Sequence, residues 1–590
     1  MTTTRSVTMA DLFPDVSNRF GDNAALSIKS QGHRSDLTYA ALAGIIAEIG
    51  LGLIELGLAP GDRVAILSDT RPEWIYAQLA VACAGGVLVP IYPSNSAAEC
   101  QWVLENSETK ILICESPAQF NKINDARKAL PRLEHVVTIE PGPEGTDAIP
   151  WTGLRRSGDA EHLWARGSAV RPNDAFAIVY TSGTTGRSKG CVLTHLNLRA
   201  TVDALTELDT IRPGESTYLF LPLAHVFSLV LQLLCFSVGG RLALWGGDAT
   251  RIVEELQEIE PAYFPAVPRI FEKIYARFAP SLRDKLGDEG FDRLVATGVE
   301  LRTQRQAGRE LDPEDAAWLT AADEQVFADV RKVFGGRLRQ AATGAAPIGR
   351  EVLEFFQAAG IPVLEGYGMT ETATAITVST PRQWKFGTVG RPLPHLEVRL
   401  ADDDEILVRG DNVFAGYYRN ESATSEAIID GWLHTGDLGS FDEDGYLSII
   451  GRKKDLIITA GGKNIAPSII EYDVALNPYV SQAVMHGDRR PYPVMLITLD
   501  PERIGAWAVE HGKDGDLATL AHDPDVIAVV QAAIDTANAN HAKAAQVKGF
   551  FILDRELSPT EGELTPTLKL KRQIVHDRFS ERFDRLYEKR

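Results

Sequence analysis

The sequence predicts an α/β protein built on parallel, doubly wound sheets. Between residues 38 and 114, short apolar strands alternate with helical patterns, as they do in sheets whose strands are joined by helical crossovers. After about residue 384 the pattern changes to short strands separated by turn signals, and a smaller α+β segment begins near Arg452. We therefore expect one large N-terminal unit and a smaller C-terminal unit.

Each predicted element near the N-terminus has its own signal. Leucine and isoleucine residues between Leu42 and Leu56 recur at helical spacing after Thr38, a residue type suited to an N-cap. Glycine and proline turns separate the elements that follow. These elements are a strand over 62–67, a helix over 72–84, and strands over 87–91 and 110–114.

Three further segments predict helical or apolar structure. Residues 275–335 are charged and patterned at helical spacing, so we expect a solvated helical insertion. The most apolar run, 226–238, is shorter than the roughly 20 residues that cross a bilayer, which predicts a buried core helix or strand. The last segment places Val575, Phe579, Phe583 and Tyr587 on one face of a terminal helix, which we expect to pack against the protein.

The charge balance excludes some functional classes. With 60 Lys+Arg and 80 Asp+Glu, the net charge is −20, so we expect no nucleic-acid partner and no basic surface for anionic lipid. The five cysteines are scattered without a Cys-x-x-Cys pair, which argues against a disulfide framework or zinc ribbon and favours a reducing compartment. No secretory signal is visible, and we expect a soluble, cytoplasmic protein, with peripheral contact to the inner membrane face left open.

The strongest local signal is a loop over 180–190 that is rich in glycine and hydroxyl residues. It reads Tyr-Thr-Ser-Gly-Thr-Thr-Gly-Arg-Ser-Lys-Gly and directly follows an apolar strand over 175–180. Glycines let the backbone approach a ligand closely, and hydroxyls, backbone N–H groups and a lysine can donate to phosphate oxygens. The spacing matches neither Walker A nor G-x-G-x-x-G. The residues expected to hold phosphate are Thr181, Ser182, Gly183, Thr184, Thr185 and Lys189.

The loop resembles the phosphate-binding signature of the adenylate-forming superfamily, and two further motifs resemble the nucleotide-site motifs of that superfamily. Tyr367 offers a flat ring on which adenine can stack, and small residues near 345 let the backbone approach the base. In the run Glu-Gly-Tyr-Gly-Met-Thr-Glu-Thr over 365–372, Thr370 can donate to an α-phosphate, and Glu371 is a hard oxygen ligand suited to Mg²⁺. The residues that the resemblance places around the nucleotide are Gly344, Ala345, Ala346, Gly366 and Tyr367.

These motifs, with Trp-Leu-His-Thr-Gly-Asp-Leu-Gly over 432–439 and Gly-Arg-Lys-Lys-Asp from 451, resemble in order those of the adenylate-forming (AMP-binding) superfamily. The resemblance covers about residues 20 to 575, and the insertion and the 452–467 segment are similar to bacterial long-chain fatty acyl-CoA synthetases. It implies an N-terminal domain over 1–453 with a small β-barrel-like subdomain, and a smaller mobile α+β C-terminal domain over 454–590.

The resemblance also implies roles for single residues. Asp437 would accept the ribose hydroxyls, Arg452 would contact ribose and phosphate, and Lys454 would be the hinge of the C-terminal domain. Lys569 would be the adenylation lysine; Lys571 is the competing assignment, because the chain has leucine at 568 where the commoner form has glycine. The remaining implied residues are His225, Val226 and Phe227 at the acyl pocket, Gly461, Gly462 and Lys463 at the CoA site, and Glu371 and Thr184 at the metal. For His225, a core histidine is an equally good explanation.

The implied activity is that of an ATP-dependent acid–thiol ligase with Mg²⁺ as cofactor. A long-chain fatty acid would react with ATP to give acyl-AMP and pyrophosphate, and the acyl group would pass to CoA, with catalysis by Lys569, Thr370 and Glu371. Two alternatives within the superfamily stay open at this point, a ligase that loads a carrier protein and a ligase for an aryl or shorter acid. A non-catalytic nucleotide-binding protein is the alternative from another class. The sequence does not indicate an oligomeric state.

Overall fold

A computed structural model describes residues 7–181, 187–565 and 569–588. Its N-terminal unit contains the strands β1 (Ala24–Ser30), β2 (His33–Thr38), β3 (Arg63–Leu67), β4 (Val87–Ile91), β5 (Ile111–Cys114), β6 (His135–Thr138), β7 (Ile149–Pro150), β8 (Ala175–Thr181), β9 (Lys189–Thr194), β10 (Ser216–Leu219), β11 (Arg241–Leu244), β12 (Tyr263–Ala266), β13 (Gln340–Thr343), β14 (Val363–Tyr367), β15 (Thr377–Val378), β16 (Arg391–Pro392), β17 (Glu397–Leu400), β18 (Glu405–Arg409), β19 (Ile428–Ile429), β20 (Trp432–Phe441) and β21 (Leu447–Arg452).

The helices of the same unit lie mostly between these strands, as crossovers do. They are α1 (Leu12–Phe20), α2 (Tyr39–Glu55), α3 (Pro72–Cys83), α4 (Ala97–Asn106), α5 (Pro117–Asn124), α6 (Trp151–Leu154), α7 (Ala160–Ser168), α8 (His195–Glu207), α9 (Val226–Ser237), α10 (Ile252–Ile259), α11 (Pro268–Leu286), α12 (Asp288–Gln306), α13 (Pro313–Gln325), α14 (Ala328–Lys332), α15 (Arg350–Ala358) and α16 (Glu421–Ala427). The predicted helix and strands over 62–114 are confirmed to within one residue at each end, and Thr38 caps α2 by accepting from the Ala41 N–H.

Two large sheets form the body of this unit. One has seven strands in the order β7-β6-β5-β3-β4-β8-β9, and the other has nine in the order β16-β15-β14-β13-β12-β10-β11-β1-β2. In both, the central strands are parallel and the chain adds strands on either side of its starting point, so the predicted doubly wound α/β class is confirmed. One hydrophobic core contains inward residues of both sheets, such as Val64 and Leu242, and the helices α2, α3, α8 and α9.

The predicted insertion is helical, but it is not wholly solvated. Phe291 of α12 and Phe327 before α14 are buried in a second core on the outer face of the nine-stranded sheet. There Phe291 stacks on Phe355 of α15 and Phe327 packs edge-on against the same ring. The expectation of a solvated insertion was wrong because the outer face of this sheet is apolar and needs a cover.

The β-rich segment after residue 384 forms an open sheet. The long strand β20 pairs with β18 along one edge and, along the other, with β19 and then β21. The described pairings give a five-stranded sheet in the order β17-β18-β20-β19, with β21 also paired to β20. The length of β20 lets its two halves take different partners on the same edge.

The C-terminal unit combines a β-hairpin, a three-stranded sheet and several helices. Its elements are β22 (Ile457–Ile458), β23 (Asn464–Ile465), α17 (Pro467–Ala475), β24 (Val480–His486), β25 (Val494–Leu499), α18 (Pro501–Glu510), α19 (Leu517–Leu520), α20 (Pro524–Ala539), β26 (Phe550–Ile552), α21 (Arg572–Arg578) and α22 (Ser580–Glu588).

The predicted terminal helix is packed, with Val575 and Phe583 buried, but it is interrupted at Phe579. Among the described helices of the whole chain, none has the length and apolar character needed to cross a membrane. The apolar run 226–238, predicted to be a buried core helix or strand, forms the helix α9, which lies between the two large sheets.

Candidate active site

The ends of the phosphate-binding loop are held together by an antiparallel strand pair. Thr181, the last residue of β8, lies opposite Lys189, the first residue of β9. The Lys189 ammonium lies 4.6 Å from the centroid of the Tyr417 ring. The predicted residues Ser182, Gly183, Thr184 and Thr185 lie outside the described residues. The described part of the loop therefore contributes Thr181 and Lys189.

The adenine candidates lie where β13 and β14 end. These strands are parallel neighbours, so their carboxyl ends present residues 344–346 and 366–367 at one edge of the sheet, the usual ligand position in such folds. A side chain at Gly344 would come within 2.9 Å of the Gly366 carbonyl oxygen, so the two segments touch through their backbones. Ala345 adopts a positive φ of 68°, which turns the chain sharply at this edge.

The Tyr367 ring is joined to the ribose candidate. Its hydroxyl donates to Asp437 Oδ2 over 2.7 Å, while Arg452 Nε lies 3.0 Å from Asp437 Oδ1. Burial and the Asp437 charge raise the pKa of Tyr367 well above its ordinary value, so the phenol is neutral and donates. Burial opposes the charge of Arg452, but Asp437 and Asp455 more than offset this and raise the pKa of Arg452. The three side chains form one connected group.

Glu371 follows the adenine segment in a short 3₁₀ turn, Thr370–Thr372. Only 7% of Glu371 is exposed, and Oε1 of its carboxylate accepts a hydrogen bond from the Tyr417 hydroxyl over 2.7 Å. Ala373, directly after the turn, has a left-handed φ of 47°, which redirects the chain away from the carboxylate. Thr370 is half-buried beside it. The predicted phosphate and metal groups are thus adjacent in the chain and close to the loop residue Lys189.

The structure distinguishes between the two candidate lysines of the C-terminal unit. Lys569 is exposed, but it lies within electrostatic reach of the N-terminal unit: desolvation and the Arg452 charge lower its pKa, and the charges of Asp437 and Glu371 oppose that shift. Lys571 instead begins α21, and its N–H donates to the Glu563 carbonyl. Lys569 is therefore the lysine that the fold brings to Asp437, Arg452 and Glu371.

His225 joins the acyl segment to the same site. It caps α9, because its Nδ1 accepts from the Phe227 N–H over 3.2 Å. Burial and the nearby Lys569 charge lower the pKa of His225 to about 4, so the ring is neutral at pH 7. Val226 is buried and Phe227 is half-buried against the core. His225 is thus both a satisfied structural histidine and a neighbour of Lys569.

The hinge and CoA candidates lie on the C-terminal side. Lys454 is exposed in a short 3₁₀ turn after β21, where the chain passes between the units. Gly461, Gly462 and Lys463 form the exposed turn between β22 and β23, and Thr459 donates to the Lys463 carbonyl. The hydrogen bonds described for this turn run within the C-terminal unit. In this arrangement the structure brings Lys569, and not residues 461–463, to the other site residues.

Several residues that the sequence analysis did not single out belong to the site or to the contact between the units. Tyr417 contacts both Lys189 and Glu371. At the contact between the units, Arg269 pairs with Asp500 over 3.0 Å, and the Tyr472 hydroxyl donates to Glu272 over 3.1 Å. A single sequence gives no signal that these residues belong to the site or to the contact between the units, because their partners are distant in the chain.

The described part of the site contains no ready-made metal cage. Among the described residues, no group of three or more His, Cys, Asp or Glu side chains could hold a metal ion. In proteins, Mg²⁺ is usually held by one or two carboxylates together with substrate phosphates. Glu371 is a buried carboxylate of that kind.

Comparison with known proteins identifies the family. The profile of the AMP-binding enzyme family matches residues 13–418, and that of the AMP-binding enzyme C-terminal domain matches residues 454–590. The chain belongs to the AMP-binding enzyme family. The resemblance to adenylate-forming enzymes is thereby confirmed.

Relatives of this family member include curated ligases and a solved structure. The chain is 39% identical to the long-chain-fatty-acid–CoA ligase FadD15 of Mycobacterium bovis, over 94% of this chain and 93% of that protein. It is 32% identical to the long-chain-fatty-acid–CoA ligase ACSBG2 of Xenopus laevis, over 99% of this chain and 84% of that protein. An anthranilate CoA ligase, AuaEII, in complex with anthranoyl-AMP shares the fold, with a TM-score of 0.73, 18% identity and 98% of both chains covered.

Proposed function

We propose that this protein is a long-chain fatty acid–CoA ligase. It activates the acid with ATP to acyl-AMP and pyrophosphate, and then transfers the acyl group to CoA. The observation that carries the proposal is that Lys569 lies within electrostatic reach of Arg452, Asp437 and Glu371 and of His225 at the acyl segment. The identity of the chain to long-chain-fatty-acid–CoA ligases supports the choice of acid.

The first step joins two anions, so we expect catalysis by charge neutralisation and positioning. A carboxylate oxygen of the fatty acid attacks the α-phosphorus of ATP, and the bond to the pyrophosphate oxygen breaks. We assign Lys569 to the reacting oxygens, Thr370 to the α-phosphate, and Thr181 and Lys189 to the leaving phosphates. The predicted loop residues Ser182, Gly183, Thr184 and Thr185 keep their assignment to those phosphates.

The nucleotide is held by the group around Asp437. We propose that Tyr367 stacks on adenine between the backbones of Gly344, Ala345, Ala346 and Gly366. Asp437 then accepts from the ribose hydroxyls, and Arg452 remains next to ribose and phosphate. Glu371, together with Thr184, would hold Mg²⁺, which supplies positive charge to the phosphate oxygens when it is bound.

The second step needs a different arrangement of the C-terminal unit. The CoA sulfur attacks the acyl carbonyl carbon, the bond to AMP breaks, and the thiol proton is released to solvent. We propose that the C-terminal domain, 454–590, rotates about Lys454 relative to the N-terminal domain, 1–453. This rotation withdraws Lys569 and brings Gly461, Gly462 and Lys463 to the thioester site. Lys454→Pro should therefore preserve acyl-AMP formation and block thiolysis, since proline fixes φ at the hinge. Normal overall turnover in that variant would refute the hinge.

One assay tests the proposed activity and its alternatives. ATP-dependent pyrophosphate exchange and CoA thioester formation are measured for acids from two to twenty carbons. We expect both reactions, with a maximum for long chains. Exchange without CoA transfer, but with transfer to a phosphopantetheine carrier protein, would identify a carrier-loading ligase. A maximum for short or aryl acids would change the substrate class, and no exchange with any acid would indicate a non-catalytic protein.

We also propose that the enzyme works in the cytoplasm with peripheral contact to the inner membrane face, since long-chain acids partition into lipid. The five free, buried cysteines agree with a reducing compartment. Flotation of the purified protein with anionic and neutral vesicles tests the membrane contact, and recovery in the soluble fraction with both would contradict it.

A further inference from the structure

Tyr417 lies between two chemical parts of the site. Its hydroxyl donates to Glu371 Oε1 over 2.7 Å, and the Lys189 ammonium lies 4.6 Å from the centroid of its ring. A single side chain therefore contacts the carboxylate assigned to Mg²⁺ and the lysine at the end of the phosphate loop.

The position of Tyr417 is fixed by the surrounding backbone. The segment 415–418 is attached to β9 by three hydrogen bonds, from the Ala415 N–H to the Val192 carbonyl, from the Val192 N–H to the Gly416 carbonyl, and from the Tyr418 N–H to the Gly190 carbonyl. The Tyr417 N–H donates to Thr424 Oγ1 over 2.9 Å. Because β9 begins at Lys189, the tyrosine and the lysine are held in the same sheet register.

The Glu371 turn is attached to the same segment. The Phe414 N–H donates to the Glu371 carbonyl over 2.8 Å, and the Phe414 ring packs edge-on against Tyr417 at 4.9 Å between centroids. Glu371 is thus held at its backbone by residue 414 and at its carboxylate by residue 417. The segment 414–418 joins the phosphate loop to the carboxylate through short, direct contacts.

A buried carboxylate needs this kind of support. Removing Glu371 from water is costly unless its oxygens accept hydrogen bonds, and an unsupported carboxylate can rotate. Residues that donate to a metal-binding carboxylate fix its orientation, and losing one typically costs 10- to 100-fold in metal affinity or activity. The cation–π contact adds a second restraint, since it ties the Lys189 charge to the same ring.

We propose that Tyr417 is a positioning residue for the adenylation step. Its hydroxyl orients Glu371 for Mg²⁺, and its ring holds Lys189 beside the triphosphate, so the metal ligand and the phosphate loop are set as one unit. This inference rests on the proposed function, because it gives Tyr417 a task in binding Mg²⁺ and ATP.

The test uses Tyr417→Phe in the full-length protein, because phenylalanine keeps the ring near Lys189 and Phe414 and removes only the hydroxyl. We expect the Mg²⁺ concentration for half-maximal pyrophosphate exchange to rise about tenfold. Isothermal titration should show the same loss in the affinity for ATP with Mg²⁺, and no change in the affinity for ATP with EDTA. An unchanged Mg²⁺ midpoint would overturn the proposal, even if the exchange rate fell.

A matched control and a second background strengthen the test. Tyr418→Phe changes the next residue of the same segment and should leave the Mg²⁺ midpoint unchanged. In a Glu371→Gln background, Tyr417→Phe should have little further effect on Mg²⁺-dependent ATP binding, because both changes act through one carboxylate. If the effects of Tyr417→Phe and Glu371→Gln on ATP affinity were additive, Tyr417 would not act through the Glu371 carboxylate. Tyr417→Leu removes the ring as well, and its additional loss measures the contact with Lys189.

Failure of this inference can be told apart from failure of the proposed function. If the wild-type protein shows no Mg²⁺-dependent exchange with any acid, the proposed function fails. If the wild type exchanges pyrophosphate and Tyr417→Phe has the wild-type Mg²⁺ midpoint, only the role of Tyr417 fails. Should Tyr417→Phe fold poorly, Thr424→Val, which removes the acceptor of the Tyr417 N–H, provides a milder displacement of the same ring. We expect it to raise the Mg²⁺ midpoint in the same direction, and an unchanged midpoint would again count against the proposal.

Discussion

Asp437 and Arg452 lie opposite each other in the antiparallel pair of β20 and β21, and Arg452 Nε is 3.0 Å from Asp437 Oδ1. Only 5% of Asp437 is exposed, and its second oxygen accepts from Tyr367. The strand register therefore places the carboxylate between an aromatic ring and a guanidinium, which orients both of its oxygens.

Replacing Asp437 by alanine should weaken ATP binding. The change removes an acceptor for ribose and leaves the Tyr367 hydroxyl and Arg452 without their partner. Hydrogen bonds to charged groups contribute about 1.5–3 kcal/mol, so we expect the ATP dissociation constant to rise roughly 10- to 150-fold. Isothermal titration with ATP measures it. Asp442→Asn, in the turn after β20, is the matched control, and an equal loss there would show that the effect is not local to the site.

Lys569→Ala should abolish acyl-AMP formation and preserve thiolysis of supplied acyl-AMP. Loss of one preorganised donor typically lowers the rate by about 10²–10³-fold, and Lys569 is the lysine that we propose for the reacting oxygens. The two half-reactions are followed separately, by pyrophosphate exchange and by AMP release from acyl-AMP with CoA. Lys571→Ala is the control, and we expect it to exchange pyrophosphate at nearly the wild-type rate. Equal losses in both half-reactions of Lys569→Ala would contradict the assignment.

The contact between the units should favour adenylation over thiolysis. Arg269–Asp500 and Tyr472–Glu272 join the units in the arrangement that has Lys569 at the site. Removing both contacts with Arg269→Ala and Tyr472→Phe costs this arrangement about 1 kcal/mol, so pyrophosphate exchange should fall roughly fivefold. Thiolysis of supplied acyl-AMP should not fall. Arg350→Ala, whose partner Glu354 lies within the same helix, controls for loss of charge. An equal decrease in pyrophosphate exchange and in thiolysis would show that these two contacts do not favour adenylation.

Glu365 should make the stability of the protein depend on pH. It lies beside Thr343 in the β13–β14 pair, and burial raises the pKa of its carboxyl from 4.5 to about 8. Between these values the folded protein keeps the proton and the unfolded chain does not, so a rise in pH destabilises the folded state. The free energy of unfolding of Glu365→Gln, minus that of the wild type, should therefore increase by up to about 1.4 kcal/mol per pH unit between pH 5 and 8. Urea denaturation of both proteins at pH 5, 6.5 and 8 provides the measurement. A difference in stability between variant and wild type that is the same at all three pH values would contradict the raised pKa of Glu365.

Local patterns predicted most of the elements and motifs. Glycine and proline turns, helical spacing and apolar runs located α2, α3, β3, β4 and β5, because these signals act within a few residues of each other. The insertion and the terminal helix were predicted less well. Phe291 is buried because it packs on Phe355, which is distant in the chain. The break in the last helix at Phe579 likewise depends on the residues that pack around it.

The sequence by itself determined the α/β class, the order of the nucleotide motifs and the chemical types of the site residues. Only the tertiary structure decided which of two lysines lies at the site, since Lys569 and Lys571 lie two positions apart and have the same chemistry. It also decided that Tyr417 supports Glu371 and that Arg269 meets Asp500. The physical reason is that charge, hydrogen bonding and burial act over a few ångströms in space, between residues that are tens to hundreds of positions apart in the chain.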